Sequence, residues 1–459
     1  MSLELGALIA YVLAQLGIGL WASRRIRTED DYLVAGRRMG PLLAGGTIFA
    51  TWFGAETCMG GAGEAYAGGV SLATAEPFGY GLCIVFMGLV FAVRLWKLRL
   101  TTLADFFRRR YSPGVERLAA LVMIPTSLLW AAAQVRAFGH VLSSAADLSP
   151  TASILLAAGA VILYTGVGGL LADAVTDVVQ GVCLVVGLGV ILVGTVHAAG
   201  GWGDAVAAID PGHLRLVPAD TSIWSVLEAW SVPILGSVVA QELVVRVSAA
   251  RSAEVARGSA LVGGLLYVLV GLVPVFVGLV AAGLGGELVA GIDHPEQVLP
   301  EVARHTLGPL LHALFAGALV SAVLSTADST LLVCSSLLSH NLVQPLFPDL
   351  GERAKVRLAR GGVLLFGLVA TALALSAESV AALVEEASSL GSAGLFVLLA
   401  LGLFTRRGGA ASGHGALVGG LVVYVLAGLL EWPLPFLSSL AAALVAFVLL
   451  SARASRPAR

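Results

Sequence analysis

Apolar runs of about membrane-crossing length follow one another along the whole chain, parted by short polar stretches. They fall at 3–22, 42–63, 70–93, 117–146, 151–171, 175–198, 223–246, 258–283, 307–342, 358–376, 380–404, 412–430 and 434–452. About 20 residues at 1.5 Å each cross the roughly 30 Å of a bilayer core. The pattern therefore predicts an all-α polytopic membrane protein with 13 transmembrane helices. The first run, Leu3 to Ala22, has no basic flank before it and no small-residue cleavage site, and arginines follow it; it is expected to be a retained span rather than a signal peptide. The polar stretches reach about two dozen residues at most, which confines function to the bundle.

Composition agrees with this picture and narrows the function classes. Of 459 residues, 58% are apolar or aromatic and only 12% charged, against about 25% charged in a soluble domain. The mean hydropathy is +0.92. These values exclude a soluble enzyme, a disordered regulator and a nucleic-acid partner. Cys58, Cys83, Cys183 and Cys334 all lie in apolar stretches without metal-ligand spacing and read as buried small residues.

The net charge of −2 says less than the placement of its parts. With thirteen spans, 24 of the 27 basic residues gather on one face: the groups Arg24 to Arg38, Arg94 to Arg117, Arg246 to Arg257, Arg353 to Arg360, Arg406 with Arg407, and Arg453 to Arg459. Basic loops stay inside, so the expected orientation is amino terminus out and carboxy terminus in, across the cytoplasmic (inner) membrane. One span more or fewer would divide the clusters between the two faces.

Two runs carry signs of interruption. Nine glycines lie between Gly40 and Gly69, together with Glu56 and Glu64, as in a broken helix whose freed backbone lines a cavity. The seventh run offers Ser231-Val232-Pro233, Gly236 and Ala240-Gln241-Glu242. The two are five runs apart, the spacing of a fold built from two inverted five-helix repeats. Polar residues within the runs are costly and are functional candidates: Glu56, Glu76, Arg136, Asp173, Asp177, Glu242, Asp328, Glu385 and Glu386. Asp173 and Asp177 are expected as caps or gate contacts at an inner-face turn between the fifth and sixth runs. Arg136 is expected to be the buried cation, paired with a carboxylate or contacting a substrate carboxylate.

The ninth run reads Gly317-Ala318-Leu319-Val320-Ser321-Ala322-Val323-Leu324-Ser325-Thr326-Ala327-Asp328-Ser329. It resembles the sodium-site helix of the sodium:solute symporter family, and the tracts Tyr164 to Gln180 and Arg246 to Arg257 resemble that family too. The resemblance implies the leucine-transporter-type fold in a single transmembrane domain over 1–459. Its first five-helix repeat would cover 42–198 and its second 223–404, with one extra amino-terminal and two extra carboxy-terminal helices. Ala322, Ser325 and Thr326 are spaced i, i+3 and i+4 and share a helix face. From the residues alone, the two hydroxyls either bond back to carbonyls one turn earlier or offer hard oxygens to a cation. The resemblance favours sodium, with further carbonyls from Ala50 and Phe53.

Within the family the likeness is strongest to the high-affinity choline transporter branch, through Ala50-Thr51-Trp52, Pro77-Phe78-Gly79-Tyr80-Gly81 and Trp130-Ala131-Ala132-Ala133. It implies an aromatic cage for a cationic amine at Trp52, Tyr80 and Trp130. Glu76 and Tyr80, and Glu56 and Trp52, would share helix faces if the helices are intact there. A further cage tryptophan of that branch is Ala240 here, followed by Gln241 and Glu242, so carboxylates are expected to take part in binding. The implied activity is sodium-coupled import of a small, choline-like, cationic or zwitterionic amine by alternating access. The alternatives are a sodium-coupled amino acid symporter of proline type, and a membrane solute sensor acting with a separate partner. No enzymatic motif is present.

Overall fold

The computed structural model describes residues 3–24, 26–72, 75–146, 148–215, 217, 221–289, 292, 294–377 and 380–454. The described chain is helical, and its helices fill the apolar runs. They are α1 (Leu3–Ser23), α2 (Pro41–Trp52), α3 (Gly61–Gly68), α4 (Phe78–Leu98), α5 (Pro113–Ala146), α6 (Pro150–Ala198), α7 (Ile223–Ser231), α8 (Gln241–Ala249), α9 (Ala253–Leu284), α10 (Pro309–Ser336), α11 (Glu352–Ser376), α12 (Val380–Ser389), α13 (Ser392–Phe404), α14 (Ala410–Leu429) and α15 (Pro435–Ala454). Several begin on proline, which needs no amide partner in a first turn. The hydroxyls of Ser149 and Ser252 cap α6 and α9 by accepting from the amides of Ala152 and Val255.

Eight helices among the described residues are long and apolar enough to cross a membrane. A ninth counts if α7 and α8, bent by 48° about their break, form one span. α10 lies at the centre against α5 and α6, while α9 packs on α2 and α3 and α1 on α6. Leu364, Leu365 and Leu368 on α11 are more than half or nearly half exposed, as lipid-facing side chains should be.

Both expected interruptions are present. α2 stops at Phe53 (φ −94, ψ 70), and the chain resumes through a wide turn at Glu56–Gly60 into α3. Gly54 permits this break, because a Cβ there would lie 2.6 Å from a Glu56 carboxylate oxygen and 2.9 Å from Thr326 Oγ1. The seventh run widens at Val232–Gly236, tightens at Ser237–Val239 and turns at Ala240 (φ −61, ψ 128) into α8.

One junction differs from the sequence reading. The turn expected around Asp173 and Asp177 lies instead at Gly169 (φ 59, ψ −173), where a Cβ would strike Tyr32. Both aspartates therefore sit within helix. Glu386 is exposed, and the Glu385 side chain lies outside the described residues.

Candidate functional site

The broken end of α2 meets the middle of α10. Ser325 Oγ donates to the carbonyl of Ala50 at 2.7 Å and to that of Ala322 at 3.0 Å. Thr326 Oγ1 donates to the carbonyl of Thr51 at 2.7 Å and approaches that of Ala322 at 3.4 Å. The hydroxyls thus engage both the carbonyls one turn earlier and those of the opposing helix end. Ala50, Thr51, Ala322, Ser325 and Thr326 are all buried, and they form a compact set of neutral oxygens. Thr51 is the member that sequence reasoning left out; Phe53, which it included, caps α2 by donating its amide to Phe49.

Immediately beyond the break, three rings close on one another. The centroids of Trp52, Tyr80 and Trp130 stand 6.0 Å apart on all three sides. Three separate elements supply them: the end of α2, the start of α4 and the middle of α5. Tyr80 also shares a 2.8 Å hydrogen bond with the hydroxyl of Ser388 on α12.

The trio stands between two cavities. The larger, about 600 Å³, is lined by Tyr80 and Ser388 and by five carboxylates, Glu56, Glu64, Glu76, Glu228 and Glu296, with no lysine, arginine or histidine among its described lining residues. The smaller, about 20 Å³, is lined by Trp130, Ser127, Ser237, Gln241 and Glu242, and again by Ser388.

The expected helix-face pairs do not form, because the helices are not continuous there. Glu56 lies past the break, where its carboxylate accepts from Gln134 Nε2 at 3.0 Å and from the amide of Gly54 at 3.3 Å. Glu76 precedes α4 and accepts from Thr57 Oγ1 at 2.6 Å and Tyr267 OH at 2.9 Å. Both still border the large cavity. Glu242 accepts from Ser127 Oγ at 2.8 Å. Gln241 is turned elsewhere: its side-chain amide accepts from the backbone of Leu103 at 2.6 Å and donates to that of Thr101 at 3.3 Å.

Below this layer sits a charged cluster that the sequence reading misplaced. Arg246, counted there with the inner-face basic residues, is fully buried. Its guanidinium donates to Asp173 at 2.7 Å, Asp177 at 3.1 Å, Ser329 at 2.6 Å and Thr47 at 2.9 Å. Thr47 and Thr51 both donate to Asp177, the latter at 2.8 Å. The carboxylates of Asp173, Asp177 and Asp328 approach within 4.8 Å of one another. Arg136, expected to be the buried cation, is partly exposed and donates to the carbonyl of Ala374 at 2.9 Å. The clue to Arg246 was an arginine inside the apolar stretch Leu243 to Ala249; the threonines at 47 and 51, one turn apart, were the clue to its partners.

A model of the sodium:solute symporter family matches residues 32–422. The chain belongs to the sodium:solute symporter family. Relatives within reach of this symporter include the high-affinity choline transporter 1 of Torpedo marmorata, 29% identical over 448 residues and covering 92% of this chain and 75% of that protein. Its human counterpart is 30% identical over 448 residues, covering 92% and 76%. The sodium/pantothenate symporter of Escherichia coli (strain K12) is 26% identical over 461 residues, covering 96% and 94%. Among solved structures, a substrate-bound, outward-open sodium-coupled sialic acid symporter superposes with a TM-score of 0.87 at 19% identity, covering 99% of this chain and 98% of that one. Mhp1, a nucleobase-cation-symport-1 family transporter in a closed conformation, gives 0.65 at 15% identity, with 93% and 96% covered. These neighbours have the leucine-transporter-type fold. The symporter is a multi-pass membrane transporter that couples a solute to sodium, and it is not an enzyme.

Proposed function

We propose that this symporter imports a choline-like, cationic or zwitterionic amine, which docks at Trp52, Tyr80 and Trp130 with Glu56, Glu76 and Glu242. The carrying observation is the ring trio between two cavities, with Glu56 and Glu76 on the wall of the larger, Glu242 on the wall of the smaller, and no cationic lining residue among those described. An aromatic face attracts a cation by about 0.5–2 kcal/mol, most when dry, and three faces with adjacent carboxylates add up to selectivity for positive charge. A site for an anionic solute would need the opposite lining. Gln241 serves in this reading to hold α8 against the 101–103 turn rather than to touch substrate.

Sodium is assigned to the oxygens of Ala50, Thr51, Ala322, Ser325 and Thr326, with the Phe53 carbonyl at the break as a further donor. Binding there would replace the hydroxyl-to-carbonyl bonds now closing α2 on α10, and so tie ion occupancy to the arrangement of the broken helix beside the substrate. We further assign thirteen spans, with repeats at 42–198 and 223–404, the fifth and sixth spans dividing at Gly169. Helix in each of the thirteen apolar runs supports this. The basic loops support an amino terminus outside and a carboxy terminus inside the cytoplasmic membrane even with Arg246 removed from their number.

The test is uptake of radiolabelled choline and related amines into proteoliposomes, with sodium or a large inert cation outside. Sodium-dependent uptake of cationic amines is expected. Uptake confined to sugars or to anionic solutes would overturn the substrate reading.

A further inference from the structure

We infer that the small chamber behind the aromatic trio is an ammonium subsite, centred on Glu242 and Ser237, that selects amines bearing N–H donors over quaternary ammonium. This rests on the cationic-amine reading above and adds to it the class of amine.

Three observations carry it. The first is a buried carboxyl outside any salt bridge. Glu242 is 5% exposed and forms no salt bridge among the described residues; its carboxyl accepts from Ser127 Oγ at 2.8 Å and from its own backbone amide. The nearby Arg246 is spent on Asp173, Asp177, Ser329 and Thr47, and meets Glu242 only at its backbone carbonyl, at 3.1 Å. The second is a spare acceptor. Ser237 also lines the chamber, is 2% exposed, and its hydroxyl has no hydrogen-bond partner. A buried polar atom left so is costly, and a ligand that satisfies it gains accordingly.

The third is size. The chamber holds about 20 Å³ on the measure by which one water needs roughly 10–15 Å³. A primary ammonium head is about as large as one water, whereas a trimethylammonium head carries three further methyl groups. The head also needs acceptors for its N–H bonds, and the Glu242 carboxyl and Ser237 Oγ, both on the chamber wall, supply them. A quaternary nitrogen has no N–H to offer and would leave Ser237 Oγ unsatisfied. Trp130, which borders the chamber, then covers the carbon adjoining the head, and the remainder of the substrate lies toward Tyr80 and the large cavity.

The experiment is a methylation series: ethanolamine, its N-methyl and N,N-dimethyl derivatives, and choline. Each is tested for thermal stabilisation of the purified symporter in sodium and for competition with uptake in proteoliposomes. The wild type is expected to prefer the primary or secondary amine over choline by at least tenfold. Glu242→Gln and Ser237→Ala are each expected to reduce that ratio, and Glu242→Asp to retain more of it than Glu242→Gln. Choline binding as well as ethanolamine, or a ratio unmoved by Glu242→Gln, would overturn the subsite while leaving the cationic-amine reading intact. Sodium-dependent binding of no member of the series would overturn both.

Discussion

At the scale of single residues, Thr326 carries the clearest expectation. Its hydroxyl is already aimed between two carbonyls from different helices, so under the proposed assignment sodium would bind there without rebuilding the backbone. A hydrogen bond or ligand contact to a charged group is worth roughly 1.5–3 kcal/mol, and Thr326→Ala should raise the sodium concentration for half-maximal uptake by about tenfold or more. A sodium titration of uptake checks this; an unchanged titration would remove Thr326 from the ion site. The rings are individually weaker. Trp130→Leu preserves apolar bulk but removes the negative ring face, and should weaken amine binding by about 2- to 30-fold, read from competition curves, with sodium affinity little changed. Thr51 joins the two sets: its carbonyl faces Thr326 and its hydroxyl faces Asp177.

At the scale of elements, what matters is how the broken pieces are held. α8 is anchored through Arg246 to α6, α10 and α2. Removing one partner of a buried ion pair leaves the other charge uncompensated, at about 3–5 kcal/mol. Arg246→Met should therefore lower the melting temperature in detergent sharply, more than Arg136→Met does; equal effects would refute the anchoring role. A second clasp ties Glu29 and Asp105, which lie outside the apolar runs, to the ends of the spans that carry His340, Asn341 and Glu116. His340 lies 3.0 Å from Glu29 and 3.2 Å from Asp105, while Asn341 donates to Asp105 and to Glu116, which Arg108 also approaches. Burial alone would raise the Asp105 carboxyl, but the hydrogen bond and charge of His340, with the amides of Thr102 and Thr101, hold it below the ordinary carboxylate value. A carboxyl lowered in the folded state stabilises above its unfolded value, near 3.9, and that contribution fades as pH falls through the folded value. The stability gap between wild type and Asp105→Asn should thus hold from about pH 6 to about pH 5 and close progressively below, as melting curves across pH would show. These long-range clasps explain what the sequence could and could not reveal. Apolar length located the helices, and glycine with carboxylate marked both breaks. But Arg246 sits at the end of an apolar run, where charge pattern alone reads as loop. Its partners lie 69 to 199 positions away, beyond any local spacing. Gly169 took the turn from Asp173 because its positive φ and the packing of Tyr32 against it make a side chain intolerable there.

At the scale of the whole molecule, the decisive quantity is how much charge one transport cycle moves. Each elementary charge crossing 100 mV is worth about 2.3 kcal/mol. If one sodium ion accompanies one monocationic amine, two charges enter, and the potential alone supports roughly three decades of accumulation; a zwitterion with one sodium moves one charge and about half as many decades. The large cavity is lined by five carboxylates and by no lysine, arginine or histidine among its described lining residues, which argues for the first case, since that lining would repel the carboxylate of a zwitterion while attracting its amine. Charge movement on rapid solution exchange, measured alongside labelled amine uptake in the same proteoliposomes, is expected to give two charges per substrate. A ratio of one would make the substrate a zwitterion or leave sodium out of the stroke, and the Thr326→Ala sodium titration separates these. Uptake indifferent to an imposed inside-negative potential would contradict net entry of positive charge and, with it, the proposed pairing of sodium at the α2 break with a cation held by the rings.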